Sequence, residues 1–301
     1  MRLGAIEAGG TKFVCGIGNE HGVIEERVSF PTELPERTMG NVIDYFKDKQ
    51  VEAIGIGSFG PLNLDPQSPF YGHVTTTPKP GWANYPFLGV LGNSFDIPFG
   101  WDTDVNAAAY GEATWGAAKG LESCVYFTVG TGIGVGVYSE GKLVHGLVHP
   151  EGGHVLTRRH PTDRFAGICP YHGDCLEGMA SGPAIEARWG VKGSEIPADH
   201  PAWEIEAFYI GQAVSNVILM LSPKKVILGG GVMHQHQLFW LIRSEVIKNL
   251  KGYVQSEEVL DRIDSYIVPP GLGENAGLAG SLALGLKALE KSRSRSVTFP
   301  D

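Results

Sequence analysis

Apolar and polar positions along this chain keep two rhythms, one of alternating strand type and one of helical type, and the change between them falls at clusters of glycine. Leu3 to Ile6 and Lys12 to Ile17 are apolar runs on either side of Gly9, Gly10 and Thr11, the pattern of strand, tight turn and strand; Val23 to Phe30 reads as a third strand of the same meander. Val42, Ile43 and Phe46 recur at helical spacing and predict a short amphipathic helix over Met39 to Lys49. A buried strand then runs through Ile54 into a loop containing Gly57, Gly60 and Pro61. From Asp65 to Asn84 no period is sustained, and an irregular region of that kind is expected to be a loop facing a substrate, with Trp82 and Asn84 either touching it or pinning the loop. Ile97 to Trp101 reads as a strand and Val105 to Trp115 as the helix after it.

The second half repeats this grammar. Two strand-like runs flank Gly130, Thr131, Gly132 and Gly134, much as the first pair flanks Gly9 to Thr11. Helices are expected at Glu177 to Arg188, Trp203 to Leu221, Gln237 to Lys248 and Ala276 to Leu289, with strands at Lys225 to Leu228 and Arg262 to Val268. The alternation predicts an α/β protein of two domains, 1–117 and 118–290, with the last helix crossing back to the first domain and a polar, serine-rich tail over 291–301.

Composition narrows the function. The chain has 301 residues, enough for two ordinary domains, and its 43% hydrophobic and 19% charged content describes a folded chain, not a disordered one. A net charge of −9 disfavours a nucleic acid partner. No apolar run approaches the length of a membrane span and the amino terminus has no leader-like core, so a cytoplasmic protein is expected. Its 42 glycines gather in short groups and suggest loops that meet ligands.

Candidate chemistry centres on Phe99 to Glu112, FGWDTDVNAAAYGE, where two carboxylates stand between a strand and an alanine-rich helix. Asp104 is the candidate base for a substrate hydroxyl; the alternative is that Asp102, Thr103 or Asp104 merely caps the helix. Gly10 and Thr11, with Lys12 beside them, form a turn whose amides suit a phosphate, though an ordinary hairpin has the same composition and the P-loop spacing is absent. Thr131 and Gly132 repeat it, and two such turns suit a nucleotide phosphate chain clamped between domains. Gly230 and Gly231, after a core strand, allow close approach of a flat ring or a phosphate.

Cys169, His172 and Cys175 are spaced by two residues each, and His154 precedes them. Two thiolates and two imidazoles fit a closed tetrahedral Zn²⁺ site of structural type; the alternatives are a disulfide, disfavoured in a reducing compartment, or two unrelated thiols. His149 and His160 are substitute ligands, although His160 lies in a run, RRHPTDR, that reads as a solvated face. Such an ion, within the loop 151–177, would fix Glu151 and Glu177 where carboxylates can receive sugar hydroxyls; Glu177 is equally read as an N-terminal charge on its helix. Cys15 and Cys124 are expected to be free buried thiols.

Taken together, EAGGTK at Glu7 to Lys12, DTDVNAAAYGE at Asp102 to Glu112, TVGTGIGVG at Thr128 to Gly136, and Glu151, Gly153, His154, Cys169, His172, Cys175 and Glu177 resemble the ROK family of bacterial sugar kinases and repressors, most closely its fructokinase branch. The likeness covers essentially the whole chain. It implies an actin- and hexokinase-like (ribonuclease H-like) fold with an interdomain active-site cleft, ATP and Mg²⁺ as well as structural Zn²⁺, Asp104 as base, sugar contacts from Glu151, Glu177, Asn84 and Thr103, and a homodimer. D-fructose phosphorylated at its 6-hydroxyl is the implied substrate; glucose, mannose and N-acylated hexoses are the alternatives, and a sugar sensor without catalysis is the alternative of another class. Two departures stand out: Glu7 replaces the family's aspartate, thought to help position hydrated Mg²⁺, and Thr103 replaces the asparagine before the base. His172 also stands where glucokinase-like members carry cysteine. Repressor members add an N-terminal DNA-binding segment, whereas this chain opens on its first strand, so an enzyme is expected.

Overall fold

Each glycine-centred hairpin belongs to its own five-stranded sheet, and the two sheets share one strand order. In the computed structural model, which describes residues 1–296, β1 (Leu3–Ala8), β2 (Lys12–Gly18) and β3 (Ile24–Pro31) form an antiparallel meander. β4 (Ala53–Ser58) and β5 (Phe99–Thr103) join β1 in parallel, giving the order β3-β2-β1-β4-β5. The second sheet, β6 (Ser123–Val129), β7 (Ile133–Ser139), β8 (Lys142–Leu143), β9 (Val226–Gly229) and β10 (Ile267–Val268), has the equivalent order β8-β7-β6-β9-β10. There too the hairpin β6–β7 is antiparallel while β6, β9 and β10 run parallel. The helices are α1 (Pro35–Phe46), α2 (Phe87–Gly92), α3 (Asp104–Thr114), α4 (Leu176–Ala180), α5 (Gly182–Trp189), α6 (Ala202–Leu221), α7 (Gln237–Leu250), α8 (Glu257–Leu260), α9 (Ile263–Tyr266) and α10 (Ala276–Ser296).

The first compact unit comprises Met1–Gly120, Leu143–Pro150 and the chain from Glu274; the second comprises Leu121–Lys142 and Glu151–Gly273. Within the first, β4 is buried at every position, so it must be covered on both faces. Ile54 and Ile56 point into an aromatic core that holds Phe13, Trp82, Phe87 and Trp101, with ring centroids 5.3 Å apart for Phe13 and Trp82 and 5.1 Å for Phe87 and Trp101. Gly55 and Gly57 point the other way and form a flat track for α10. A Cβ at Gly55 would overlap the Ser281 carbonyl, and the Ser281 hydroxyl accepts from the Gly57 amide at 3.2 Å. These glycines serve packing, not a ligand, which limits the reading of glycine groups as ligand loops.

Several expectations need correcting. Trp82 belongs to the core: it is fully buried, and its indole N–H donates to the Glu33 carbonyl at 2.9 Å, so it pins the irregular loop and leaves no face for a sugar. The single helix expected over Glu177 to Arg188 is two, because Ser181 is extended and its hydroxyl caps α5 by accepting from Ala184 N at 3.4 Å, while Pro183 lacks the amide a continuous helix needs. Most of the strand expected over Arg262 to Val268 is the helical turn α9; Ile263 and Tyr266 sit three apart, a helical spacing, and only Ile267–Val268 pairs with β9. α10 continues to Ser296, so the tail expected to begin at 291 starts as helix, and Val297 to Asp301 lie outside the described residues. The run RRHPTDR is not wholly solvated: Asp163 is buried, paired with Arg188 at 3.2 Å and with the Tyr209 hydroxyl at 2.8 Å. Burial alone would raise the Asp163 carboxyl, but the Phe165 amide, Tyr209 and Arg188 outweigh it and hold it below the ordinary range. Among the described residues no helix is long and apolar enough to cross a membrane.

Candidate active site

In both sheets the candidate residues lie at the carboxyl ends of the parallel strands or in the turn between the first two, where an open α/β sheet leaves backbone amides for a ligand. The turn after β1 shows how. Gly9 N donates to the Lys12 carbonyl at 3.0 Å, and the Thr11 carbonyl and Gly9 carbonyl are taken by Thr32. The amides of Gly10 and Thr11 donate to no group among the described residues. In the second unit Gly130 N closes on the Gly132 carbonyl at 2.9 Å, and the Thr131 and Gly132 amides are left in the same way. Pairs of consecutive outward amides suit an anion.

Two lysines flank the first turn. Lys12 follows it, and Lys79, which sequence reasoning missed, runs alongside Gly10 so that its Cε lies 3.4 Å from where a Gly10 Cβ would stand. Neither ammonium makes an ion pair among the described residues. Glu7, the departure from the family's aspartate, lies over Gly277 at the start of α10; a side chain at 277 would meet its Oε1 at 2.5 Å, so the extra methylene of glutamate is accommodated by a glycine. Burial holds the Glu7 carboxyl above its ordinary range, with Lys12 opposing and Glu274 adding to the rise.

The junction of β5 and α3 separates capping from chemistry. Thr103 is the N-cap: it is 4% exposed and its hydroxyl accepts from the Asn106 amide at 3.2 Å. Asp104 is therefore not spent on that cap, and its Oδ1 accepts from the Val105 amide at 2.8 Å. Asp102 is buried beneath the junction. Its Oδ1 accepts from Asn106 Nδ2 at 2.7 Å and from the Thr103 amide at 2.9 Å, and its Oδ2 lies 2.8 Å from His145 Nε2. Asn84 is exposed in the left-handed region at φ 57° and its amide donates to the Thr75 carbonyl at 3.0 Å.

In the second unit His154, Cys169, His172 and Cys175 converge, with all four ligand atoms within 4.8 Å of one another. His154 Nδ1 is 3.5 Å from Cys175 Sγ and 3.8 Å from Cys169 Sγ, and His172 Nδ1 is 3.6 Å from Cys169 Sγ. Tetrahedral bonds of about 2.0–2.3 Å to nitrogen and sulfur imply ligand separations of about 3.3–3.8 Å, so the donor set fits Zn²⁺ in both chemistry and size. Neither proposed substitute joins it: His149 Nε2 accepts from the Leu62 amide at 3.1 Å in the first unit, and His160 Nδ1 pairs with the Thr162 hydroxyl at 2.9 Å.

Glu151 opens the turn that carries His154, with His154 N donating to its carbonyl at 3.0 Å, and Gly153 lets that turn lie against β7, since a Cβ there would overlap the Ile133 carbonyl. Glu177, on the first turn of α4, uses Oε2 to accept from the Ile133 amide at 2.9 Å. It thereby ties the metal loop to the Thr131–Gly132 turn, a link that spacing along the chain gave no means to foresee. A cavity of about 490 Å³ opens beside that turn, lined by Gly130, Thr131, Gly182, Glu186, Trp203 and Gly231 among others. Of the predicted pair of glycines, Gly231 lines it. Gly230 makes the bend, at φ 90° and packed so tightly that a Cβ would stand 2.6 Å from Val129 N. Gly182 and Glu186 were missed because the break that creates α5 was read as continuous helix; the Ser-Gly-Pro at 181–183 was the available signal.

The ROK family model matches residues 3–288. A fructokinase from Pediococcus pentosaceus is 51% identical over 292 residues, covering 97% of this chain and 100% of that protein. A fructokinase from Streptococcus mutans serotype c (strain ATCC 700610 / UA159) is 43% identical over 293 residues, covering 96% and 97%. The crystal structure of a ROK hexokinase from Thermus thermophilus superposes with a TM-score of 0.78 at 26% identity, over 97% of this chain and all of that one.

Proposed function

The chain belongs to the ROK family, with its two-lobed α/β, actin- and hexokinase-like fold, and we propose that it transfers the γ-phosphoryl group of ATP to the 6-hydroxyl of D-fructose. The observation that carries the reading is the β5–α3 junction: Thr103 supplies the helix cap, and the Asp104 carboxylate is held beside it at the end of a parallel strand, which supports reading it as the base. Fructose, in preference to another hexose, is supported by the two fructokinases to which the chain is similar along nearly its whole length.

Asp104 accepts or orients the proton of the 6-hydroxyl as that oxygen attacks the γ-phosphorus in line; the new O–P bond forms as the bond to the β-phosphate oxygen breaks and ADP leaves. The Gly10 and Thr11 amides with Lys12, and the Thr131 and Gly132 amides, take phosphate oxygens, offsetting charge that builds during transfer. ATP brings Mg²⁺ as part of the substrate, which supplies further charge compensation. The cavity beside Gly231 takes the adenosine, its volume lying in the range of small-molecule pockets. Glu151 and Glu177 accept sugar hydroxyls, Glu177 through Oε1 because Oε2 already holds the Ile133 amide, and Asn84 and Thr103 add contacts. His154, Cys169, His172 and Cys175 would hold Zn²⁺, which supplies a cross-link and no chemistry at the phosphoryl group. A homodimer and a cytoplasmic location go with this reading, the former tested by light scattering on the eluting protein.

The test is coupled ADP release with ATP and Mg²⁺ on fructose, glucose, mannose and N-acetylated hexoses, run beside Asp104→Ala. Fructose-dependent turnover that falls at least about 100-fold in the variant supports the assignment. A strong preference for another sugar moves the substrate, and no turnover on any of them sinks the kinase reading in favour of a sugar sensor.

A further inference from the structure

Beneath the proposed base lies an ion pair that the mechanism above does not use. Asp102 is 3% exposed, and a carboxylate so deeply buried needs a partner for its charge as well as for its lone pairs. Asn106 Nδ2 and the Thr103 amide satisfy Oδ1, but both are neutral. Among the described residues the charge is met at Oδ2, by His145 Nε2 at 2.8 Å, and His145 comes from the segment Leu143–Pro150, which re-enters the first unit from a distant part of the chain. Through Asn106 and Thr103 the same carboxylate holds the first turn of α3, on which Asp104 stands.

We infer that His145 is a positioning residue for phosphoryl transfer: its imidazolium balances the buried charge of Asp102 and thereby sets both the orientation and the ionisation of Asp104, two residues along the chain. The inference rests on the reading of Asp104 as base. Asp102 faces His145 from β5, Lys287 approaches from α10 and is itself placed over the Tyr110 ring of α3 at 5.0 Å, and Tyr71 faces Asp102 from the irregular loop. The hydrogen bond to Asp102 holds the imidazole above its ordinary range, with burial and Lys287 opposing. The imidazolium thus offsets the negative charge of Asp102 behind Asp104. Without the imidazolium, the negative charge of Asp102 loses its countercharge, and to the extent that it persists it disfavours the ionised form of Asp104 and moves its titration upward.

His145→Gln keeps a hydrogen-bond donor for Asp102 but removes the charge, and at 41% side-chain exposure His145 can be replaced without opening the core. The direct readout is the pH titration of the Asp104 carboxyl carbon by ¹³C NMR in labelled full-length protein. Its midpoint is expected to rise by about one pH unit in His145→Gln, and to return towards the wild-type value in His145→Gln/Asp102→Asn, where the buried anion is gone as well. The acidic limb of kcat/KM for fructose should move with it, with kcat down about 10-fold and both KM values within about twofold. A merely structural contact would leave the midpoint where it is, so an unmoved Asp104 titration in His145→Gln overturns the inference. So does an equal rise in the double variant. Full turnover by Asp104→Ala would instead overturn the base assignment, a separate failure.

Discussion

Replacing Cys175 by serine is expected to unfasten the second unit's metal loop, and the structure sets the size of the effect. An ion bound by the four donors closes the chain between His154 and Cys175, which are 21 residues apart. Closing a loop of that length removes unfolded-state entropy worth about 3 kcal/mol. For a unit of this size that corresponds to roughly 6–12 °C in the Tm of the transition that reports it. Asp163 anchors the middle of the loop, buried and paired with Arg188 at 3.2 Å and with the Tyr209 hydroxyl at 2.8 Å, but the contacts around the cysteines are weaker. Isolated bridges join Leu156 to Cys175 and Cys169 to Gly173, and Arg159 and Asp174 pair at 2.8 Å with both side chains substantially exposed. Metal analysis of wild-type protein should therefore return one Zn²⁺ per chain, and Cys175→Ser should lose it. Differential scanning calorimetry and amide exchange should show the lower transition and faster exchange across 155–175. Burial pushes the Cys175 thiol, in the metal-free chain, up to about 11, so binding releases its proton, and affinity should fall at least about tenfold for each pH unit lowered from 8 to 6. Cys15→Ser, at a buried thiol on β2 in the other unit, is the control and should retain the metal. Substoichiometric metal in wild type, or full metal whose removal changes neither the transition nor exchange, would refute the reasoning.

Two further outcomes follow from packing and burial. Gly55→Ala should lower the unfolding free energy by about 3 kcal/mol, measured by denaturant titration, because its methyl would overlap the Ser281 carbonyl of α10; a loss below about 1 kcal/mol would mean the helix moves aside freely. Glu206, on α6, is 1% exposed, and neither carboxylate oxygen has a hydrogen-bond partner among the described residues. Desolvation raises its carboxyl well above the ordinary range, with Arg188 opposing. A raised carboxyl contributes nothing below its unfolded value and destabilises increasingly as pH rises from there towards the folded value. The stability difference between Glu206→Gln and wild type should therefore shift in favour of the variant as pH rises from about 4 to 8, and a difference independent of pH would show that Glu206 is not a buried acid.

Much of the site was legible because its residues are close together in sequence. The turn at Gly9 to Lys12, its counterpart at Gly130 to Gly132, the β5–α3 junction and the three metal ligands of Cys169 to Cys175 are each a few residues long, and local spacing is enough to place such groups on a turn or a helix start. The ambiguity at Asp104 was of another kind. Asp102, Thr103 and Asp104 all have oxygens suited to a cap, and only the observed bond from Thr103 to Asn106 assigns the duty. Trp82 was left between sugar contact and a pin because an aromatic residue in an irregular segment has the same composition whether it faces solvent or a core. Gly57 was read as part of the loop after β4 because no sequence window contains the helix, more than two hundred residues away, that packs on it.

The α/β alternation, the two glycine turns and the close spacing of Cys169, His172 and Cys175 were determined by the sequence alone, since each depends on local backbone preference, hydrophobic period or the chemistry of neighbouring side chains. The contacts between segments distant along the chain were decided only in three dimensions: His145 on Asp102, Lys79 beside Gly10, Glu177 on the Ile133 amide, α10 on Gly55. Those contacts depend on which surfaces remain to be covered once each sheet has formed, and burial of that kind is a property of the assembled unit, not of any stretch within it.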